Sequence, residues 1–500
     1  MLLPKVLEHA RRQPDAVALV DDQTTWTYGT LAHVAHRWAD ALAERVQPGE
    51  HVGVLVPPTA AFAGLFLALR WIGAVPVPLN YLLKPNELAG ILRDAEVKLL
   101  VTVPPLAPLA QGAANGLPVV LVNELPVAPP SPGATLRPLP DAAPDDVMVI
   151  MYTSGTSGVP KGVMLTHKNV ESDALNSCAH ARFNEQTVFL GIVPMFHTLG
   201  LLGNLFIPLM LGSKVVYLPR FTPAGVFTAV QEHGVKVLIA VPSMYALLAH
   251  SRSATGDELK TVTLAVCGGE PLPLALKQGL KATFGIDLME GFGLTETSPI
   301  LALNVPWATK DNSVGQLIPE TEVRVVGHDG STVAAGADGL LLFRGPQVMK
   351  GYWKKPTETA EVLSSDGWFD SGDIGHVDAE GFLFITGRKK EMIAMAGEKI
   401  FPREIEEAIK THPAVVLAAV IGAKDPTRGE VPVGFIQLKP DLPADQKPTE
   451  NALRSYLRER IAAYKVPRDI YFIDEMPKSS TGKILKRELV GMLEKGETAH

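Results

Sequence analysis

Thr153, Ser154, Gly155, Thr156, Ser157 and Gly158, followed by Lys161 in a Pro-Lys-Gly triplet, are the strongest cluster of phosphate-binding chemistry in the chain. Glycines there let backbone N–H groups turn inward, hydroxyls add further donors, and the lysine ammonium supplies a point charge. The cluster follows VMVIMYT, an apolar run that reads as a buried strand, which argues against a free Ser/Gly linker. Its spacing does not match GxxxxGK followed by Ser or Thr, so the P-loop reading is excluded. Further on, EGFGLTE offers an aromatic ring, a hydroxyl and a carboxylate at Phe292, Thr295 and Glu296. Asp373 stands in an SGD turn, Arg388 in GRKKEMI, Lys483 in SSTGK and His197 in PMFHTLG. Taken alone, each has an ordinary structural role: core aromatic, hairpin acid, solvated cation or satisfied core histidine.

Such residues need rigid elements to hold them. From Val52 onward the runs VGVLV, KLLVTV, PVVLV, KVVYL and VKVLIAV alternate with helix-like AAFAGLFLALRWIG and PAGVFTAVQEHG. That alternation predicts α/β layers with buried sheets. Residues 104–146, rich in Pro and Ala, read as surface connection around one short strand. After Gly339 the texture changes to short strands punctuated by Gly and Asp, including GYWKKP and DGWFDSGD. Beyond Arg388 comes a compact unit of helix PREIEEAIKTHP, strands AVVLAAVIG and VPVGFIQL, and helix ENALRSYLRERI. The stretch after His197, Leu199 to Leu211, reads as one apolar helix.

Six segments in order, the phosphate loop, PMFHTLG, GGEPLP, EGFGLTE, DGWFDSGD with GRKKEMI, and PKSSTGKI, resemble the adenylate-forming superfamily. That superfamily contains acyl-CoA synthetases, luciferases and the adenylation domains of peptide synthetases, and the likeness spans almost the whole chain. It implies an ATP- and magnesium-dependent ligase that activates a carboxylic acid as an acyl-adenylate, releases pyrophosphate and passes the acyl group to coenzyme A. The implied nucleotide contacts are Thr153, Ser154, Gly155, Thr156, Ser157, Gly158, Lys161, Gly269, Glu270, Glu290, Gly291, Phe292, Gly293, Asp373 and Arg388. Phe292 would lie on adenine, Thr295 would bond the α-phosphate, and Asp373 would accept from both ribose hydroxyls. Magnesium is expected at Glu296 and Thr156. Lys483 would stabilise charge developing as the carboxylate attacks phosphorus, a contact whose loss typically costs about 2.7–4 kcal/mol.

The resemblance also implies an α/β fold with a large multi-layer N-terminal domain at residues 1–388, carrying ATP and acyl sites. A small mobile α+β domain at 389–500 would rotate about Lys390 and present Ala396, Gly397 and Glu398 to coenzyme A. His197, Leu199, Gly200 and Gly268 are expected to line the acyl pocket. Three departures stand out: Phe292 where Tyr is common, Ser371 where Thr is usual, and AGEKI where the family more often reads like SGFNV. The motifs are most similar to fatty acyl-CoA synthetases, so a medium- or long-chain fatty acid is the expected substrate. The alternatives are an aryl acid, or an acyl-adenylate delivered to a carrier protein in trans. No Asp lies between Phe189 and Ser213, which speaks against amino acids.

Composition narrows the remaining classes. The formal charge of -7 is spread through mixed acids and bases, with no basic run suited to nucleic acid. Cys178 and Cys267 lack any disulfide or zinc-ligand spacing. The N-terminal residues do not form a signal-peptide pattern, and a cytoplasmic location is expected. The apolar stretches at 60–79 and 198–213 are broken by Pro, Gly and Arg70, as buried core is. Peripheral contact with a lipid surface and a homodimeric state stay open.

Overall fold

The computed structural model describes residues 1–127, 137–153, 160–327, 330–334, 336–396, 398–440, 442–443, 446–478 and 484–496, with the backbone alone at Lys399. Chain contacts divide it into two units: Met1–Glu322 with Phe343–Phe369, and Val323–Leu342 with Asp370–His500. The α/β expectation holds in the first and the α+β expectation in the second.

The first unit contains a nine-stranded sheet. Its parallel centre runs through Leu288–Gly293, Leu264–Cys267, Val237–Ala240, Val188–Gly191, Lys214–Tyr217 and Val17–Val20. Antiparallel strands close both edges. A second, wholly parallel sheet orders Val75–Pro78, His51–Leu55, Leu99–Thr102 and Val119–Leu121. These strands are buried from end to end in His51–Leu55, Leu99–Thr102, Val237–Ala240 and Leu264–Cys267. Their unbroken apolar runs are what a sheet covered on both faces requires. A third, antiparallel sheet joins Val147–Thr153, Lys161–Thr166 and Gly351–Tyr352.

Helices form where the apolar stripe and a cap coincide. Ala60–Trp71 starts at Thr59, whose side chain accepts from Phe62 N, and Pro223–His233 starts at Thr222, which accepts from Gly225 N. Two expectations are corrected. Within 104–146, Ala107–Ala114 is a helix, its small residues packing down on Val119–Leu121. The expected helix over Leu199–Leu211 is broken into Thr198–Leu201, a wide π turn at Leu202–Phe206, and Ile207–Leu211. Pro208 has no N–H to return to the carbonyl of Asn204, and Tyr217 Oη donates to that carbonyl instead at 2.8 Å. The Asn204 amide in turn donates to Val193 O at 2.8 Å, fixing the turn to the chain after Val188–Gly191.

The second unit has its own core, with Ile393, Ile400, Ile405, Ile409, Val420, Phe435, Leu453 and Leu489 buried together. Its sheet orders Glu398–Ile400, Ile393–Met395, Gly429–Leu438 and Val415–Asp425, and Asp469–Phe472 pairs in parallel with Gly429–Leu438. Helices Pro402–Lys410 and Glu450–Arg458 form where expected, the latter capped by Thr449 accepting from Ala452 N. The hairpin Phe369–Val377 and Leu383–Arg388 groups with this unit from Asp370 onward, because Phe401 packs its ring on Gly387. Residue 388, the expected boundary, therefore lies inside the second unit. Among the described residues no helix is long and apolar enough to cross a membrane, and both cysteines are buried and free.

Candidate active site

In the first unit the parallel strands deliver their C-terminal ends to one edge, the place where open α/β sheets bind ligands. Val241 follows one strand, Gly268, Gly269 and Glu270 follow the next, and Glu290 to Gly293 end a third. They converge: a Cβ on Gly268 would meet Leu199 Cδ2 at 3.4 Å and Gly291 O at 3.8 Å, and one on Gly269 would meet Val241 Cγ1 at 3.8 Å. Leu199 and His197 are only half-buried between fully buried neighbours, as residues facing a recess are. Gly200 has a different reason to be glycine. A Cβ there would lie 2.2 Å from Pro194 O, so it serves the close approach of its own turn to residues 193–194.

His197 stacks obliquely on Phe196, ring centroids 4.5 Å apart, and Phe196 meets Tyr81 edge to face at 5.0 Å. Burial pushes the His197 pKa down to about 4, so the imidazole is neutral near pH 7. It can donate one hydrogen bond but offers no cation.

The strand Leu288–Gly293 runs from buried Leu288 and Met289 to half-buried Gly291 and Phe292. Phe292 lies 5.9 Å from Phe343, ring to ring, at a tilt of 43°. Glu290 accepts from Leu272 N, in GGEPLP, at 3.3 Å. The chain then turns tightly through Thr295–Thr297, where Leu294 N donates to Thr297 Oγ1 at 3.1 Å. Gly293 permits this turn, since a Cβ there would stand 1.7 Å from Pro299 O. Asp173, fully buried, accepts from Ile300 N at 2.9 Å and from Ser177 Oγ, and burial pushes its pKa well up. It clamps the chain just beyond the turn that presents Thr295 and Glu296.

Thr153 and Lys161, the two ends of the expected phosphate loop, face each other across an antiparallel pair. Ser154, Gly155, Thr156, Ser157 and Gly158 lie outside the described residues. Lys161 Nζ sits 4.8 Å from the ring centroid of Tyr352, and Tyr352 Oη donates to Glu296 Oε1 at 2.8 Å. Among the described residues the other Glu296 oxygen accepts no hydrogen bond, and no cluster of three or more His, Cys, Asp or Glu residues is placed to hold a metal. A lone carboxylate with a free oxygen suits magnesium, which keeps several waters and shares substrate phosphates rather than filling a protein cage.

In the second unit Asp373 and Arg388 are directly opposite in the hairpin, and Arg388 Nε donates to Asp373 Oδ1 at 2.7 Å. The Asp373 side chain is only 2% exposed. Ser371, despite departing from Thr, keeps the hydroxyl's work: it donates to Leu341 O at 2.9 Å and accepts from Asp373 N at 3.1 Å. Lys390 lies in the short turn Lys389–Glu391. Ala396 takes a left-handed conformation, φ 50°, and its N–H donates to Arg428 O at 2.8 Å. Glu398 is exposed opposite Met395. Gly397 and Lys483 lie outside the described residues.

Sequence reasoning missed two features here. One is Tyr352. The other is a pocket of about 210 Å³ lined by Met395, Arg428, Arg454, Arg458, Tyr464 and Arg468 among others. The arginines are scattered over three elements, so no linear spacing announces them.

The chain belongs to the AMP-binding enzymes of the adenylate-forming superfamily: it matches that family over residues 6–353, and the AMP-binding enzyme C-terminal domain over 404–483. Within it, the chain is an AMP-forming acid–CoA ligase. It is 37% identical to a feruloyl-CoA synthase of Amycolatopsis sp over 97% of each chain. It is 33% identical to a long-chain-fatty-acid–CoA ligase of Bacillus subtilis, over 97% of this chain and 93% of the other. Among solved structures, the O-succinylbenzoate coenzyme A synthetase MenE of Bacillus subtilis, in complex with ATP and magnesium ion, superposes with a TM-score of 0.86. The identity is 28%, over 97% of this chain and 99% of that one.

Proposed function

We propose that the acid joined to coenzyme A is aromatic, an aryl or arylpropenoic carboxylic acid. The observation that carries this is the greater identity to the feruloyl-CoA synthase, 37% against 33% for the fatty-acid ligase. The rings of Tyr81, Phe196 and His197 beside Leu199 support it, because edges and faces at these spacings suit a flat aromatic substrate. A straight-chain fatty acid is the second reading, favoured by the apolar 199–211 segment and by the motif likeness to fatty acyl-CoA synthetases.

In the first half-reaction a carboxylate oxygen attacks the α-phosphorus of ATP and pyrophosphate leaves. Phe292 packs on adenine, Asp373 accepts from the ribose hydroxyls with Arg388 beside it, and Thr295 donates to the α-phosphate. Thr153, the phosphate loop and Lys161 hold the remaining phosphates. Glu296 and Thr156 would hold magnesium, which would supply charge neutralisation to the phosphates. Lys483 stabilises the charge that develops on the reacting oxygens. Neutral His197 orients the acid through its N–H without trapping the carboxylate in an ion pair.

In the second half-reaction the thiol attacks the acyl carbonyl and AMP leaves. A rotation about Lys390 exchanges the catalytic lysine for the Ala396–Glu398 segment. The arginine pocket adjoins that segment, since Met395 and Arg428 line it and Ala396 bonds Arg428. It offers cations to the phosphates of coenzyme A and an exposed ring, Tyr464, to its adenine.

Acid-dependent pyrophosphate release tests the substrate, measured with magnesium-ATP and coenzyme A across octanoate to palmitate, benzoate, coumarate and ferulate. The expected result is a higher specificity constant for an aromatic acid than for every straight-chain acid. A maximum at a fatty acid overturns the aromatic reading in favour of the second one.

A further inference from the structure

The GYWKKP segment belongs to none of the six motifs that mark the reaction, yet its tyrosine bonds the Glu296 carboxylate. Gly351–Tyr352 adds a strand to the antiparallel pair that carries Thr153 and Lys161, with Tyr352 opposite Val163 and Gly351 opposite Met164. Trp353 N donates to Gly162 O at 2.7 Å and Lys350 N to Met164 O at 3.0 Å, so backbone pairing fixes Tyr352 relative to Lys161. Two residues ahead of the segment Met349 N donates to Glu296 O at 2.8 Å, and Tyr352 Oη donates to Glu296 Oε1 at the same distance. Glu296 is thus held by backbone and side chain together.

Tyr352, 7% exposed, carries the Glu296 carboxylate at its hydroxyl and the Lys161 ammonium over its ring. Among the described residues Lys161 forms no ion pair. An aromatic face attracts an ammonium without neutralising it. A phenol that donates to one carboxylate oxygen leaves the other free.

We infer that Tyr352 is a positioning residue for the adenylation step, aiming the free oxygen of Glu296 at the magnesium ion of the nucleotide while keeping Lys161 beside the phosphates. The inference rests on the reading of Glu296 as the metal's carboxylate. A buried tyrosine of purely structural value would need only the ring. Phenylalanine at 352 keeps the ring and the lysine's resting place and removes only the contact to Glu296.

The test is Mn²⁺ binding, followed by electron paramagnetic resonance, to enzyme with α,β-methylene-ATP, a nucleotide that cannot be cleaved at the reacting bond. Tyr352→Phe, Glu296→Gln and the double variant are compared with the parent chain. Tyr352→Phe is expected to weaken Mn²⁺ binding about tenfold, as loss of a hydrogen bond to a charged group does, with an unchanged melting temperature. The free Mg²⁺ needed for half-maximal pyrophosphate release rises in parallel. In the Glu296→Gln background Tyr352→Phe adds no further loss, since both changes remove one interaction. If Glu296→Gln weakens Mn²⁺ binding and Tyr352→Phe does not, the inference is overturned while the metal reading stands. If Glu296→Gln leaves Mn²⁺ binding unchanged, the metal reading fails and the inference falls with it. Should Tyr352→Phe lower the melting temperature, Tyr352→Trp, which keeps a ring but cannot reach with a hydroxyl, must show the same Mn²⁺ loss, and parent-like binding in it overturns the inference.

Discussion

Arg458→Ala should raise the KM for coenzyme A while leaving acid activation intact. Arg458 lines the second unit's pocket with Arg428, Arg454 and Arg468. Arg454 and Arg468 already engage Glu450, Asp469 and Asp425, whereas among the described residues Arg428 and Arg458 have no ion pair. Two uncommitted guanidiniums beside exposed Tyr464 are what phosphates and an adenine ring would use. A charge pair at about 4 Å is worth about 1 kcal/mol in water and about 4 kcal/mol at an effective dielectric of about 20. Because Arg458 is exposed, the lower end applies: about 1–2 kcal/mol, or a five- to thirtyfold rise in KM. High salt should shrink the difference between variant and parent, as screening does for exposed charges. The decisive comparison replaces coenzyme A by pantetheine, which has the thiol but no nucleotide. The variant and the parent should then have the same KM. An equal defect with pantetheine, or loss of pyrophosphate in the first turnover, refutes the assignment.

Three further outcomes follow from the same geometry. Lys483→Ala should slow adenylation by about a hundred- to thousandfold while ATP still binds, read by pyrophosphate burst and equilibrium nucleotide titration; unchanged turnover would remove the lysine from the mechanism. Gly268→Val should cut the specificity constant for bulky acids at least about tenfold and spare acetate, because side-chain atoms added 3.4 Å from Leu199 narrow the recess; a uniform loss across acids would point to misfolding instead. Burial lowers the His197 pKa to about 4 from an ordinary value of 6.5, so between those values the unfolded chain binds a proton that the folded chain does not. Stability contributed by neutral His197 is therefore present above about pH 6.5 and lost as pH falls toward 4, and His197→Gln should flatten that decline in denaturant titrations; parallel curves would show that the imidazole is not desolvated.

Much of the fold could be read from residue patterns because burial on both faces leaves a strong mark. Residues 52–55 and Val237–Ala240 appear in the sequence as uninterrupted apolar runs, and Pro402–Lys410 and Glu450–Arg458 as amphipathic stretches with recognisable starts. The failures have equally physical causes. Leu199–Leu211 has helix composition throughout, but its continuity depends on Pro208, and only the folded chain reveals that Tyr217 takes over the orphaned carbonyl of Asn204. The grouping of the Asp373 hairpin with the second unit depends on Phe401 meeting Gly387, a contact without any mark in local periodicity.

The candidate site divides along the same line. Groups suited to touching ligand, such as Phe292, Thr295 and Glu296, lie close together in sequence because one strand end and one tight turn present them all. A local motif is then the natural record of their work. The groups that hold them come from wherever the fold passes nearby: Asp173 reaches Ile300 from a helix 127 positions earlier, and Tyr352 reaches Glu296 from 56 positions later. Neither spacing repeats a helical or strand period, and neither residue type is rare enough to attract notice. Gly200 makes the converse point. Its place beside His197 invites a pocket role, but 2.2 Å between its would-be Cβ and Pro194 O shows that backbone packing already requires glycine there. Sequence proximity to a reactive residue is therefore a poorer guide to function than the contact each atom makes, which is why Tyr352, outside every motif, is the stronger candidate for mutation than Gly200 within one.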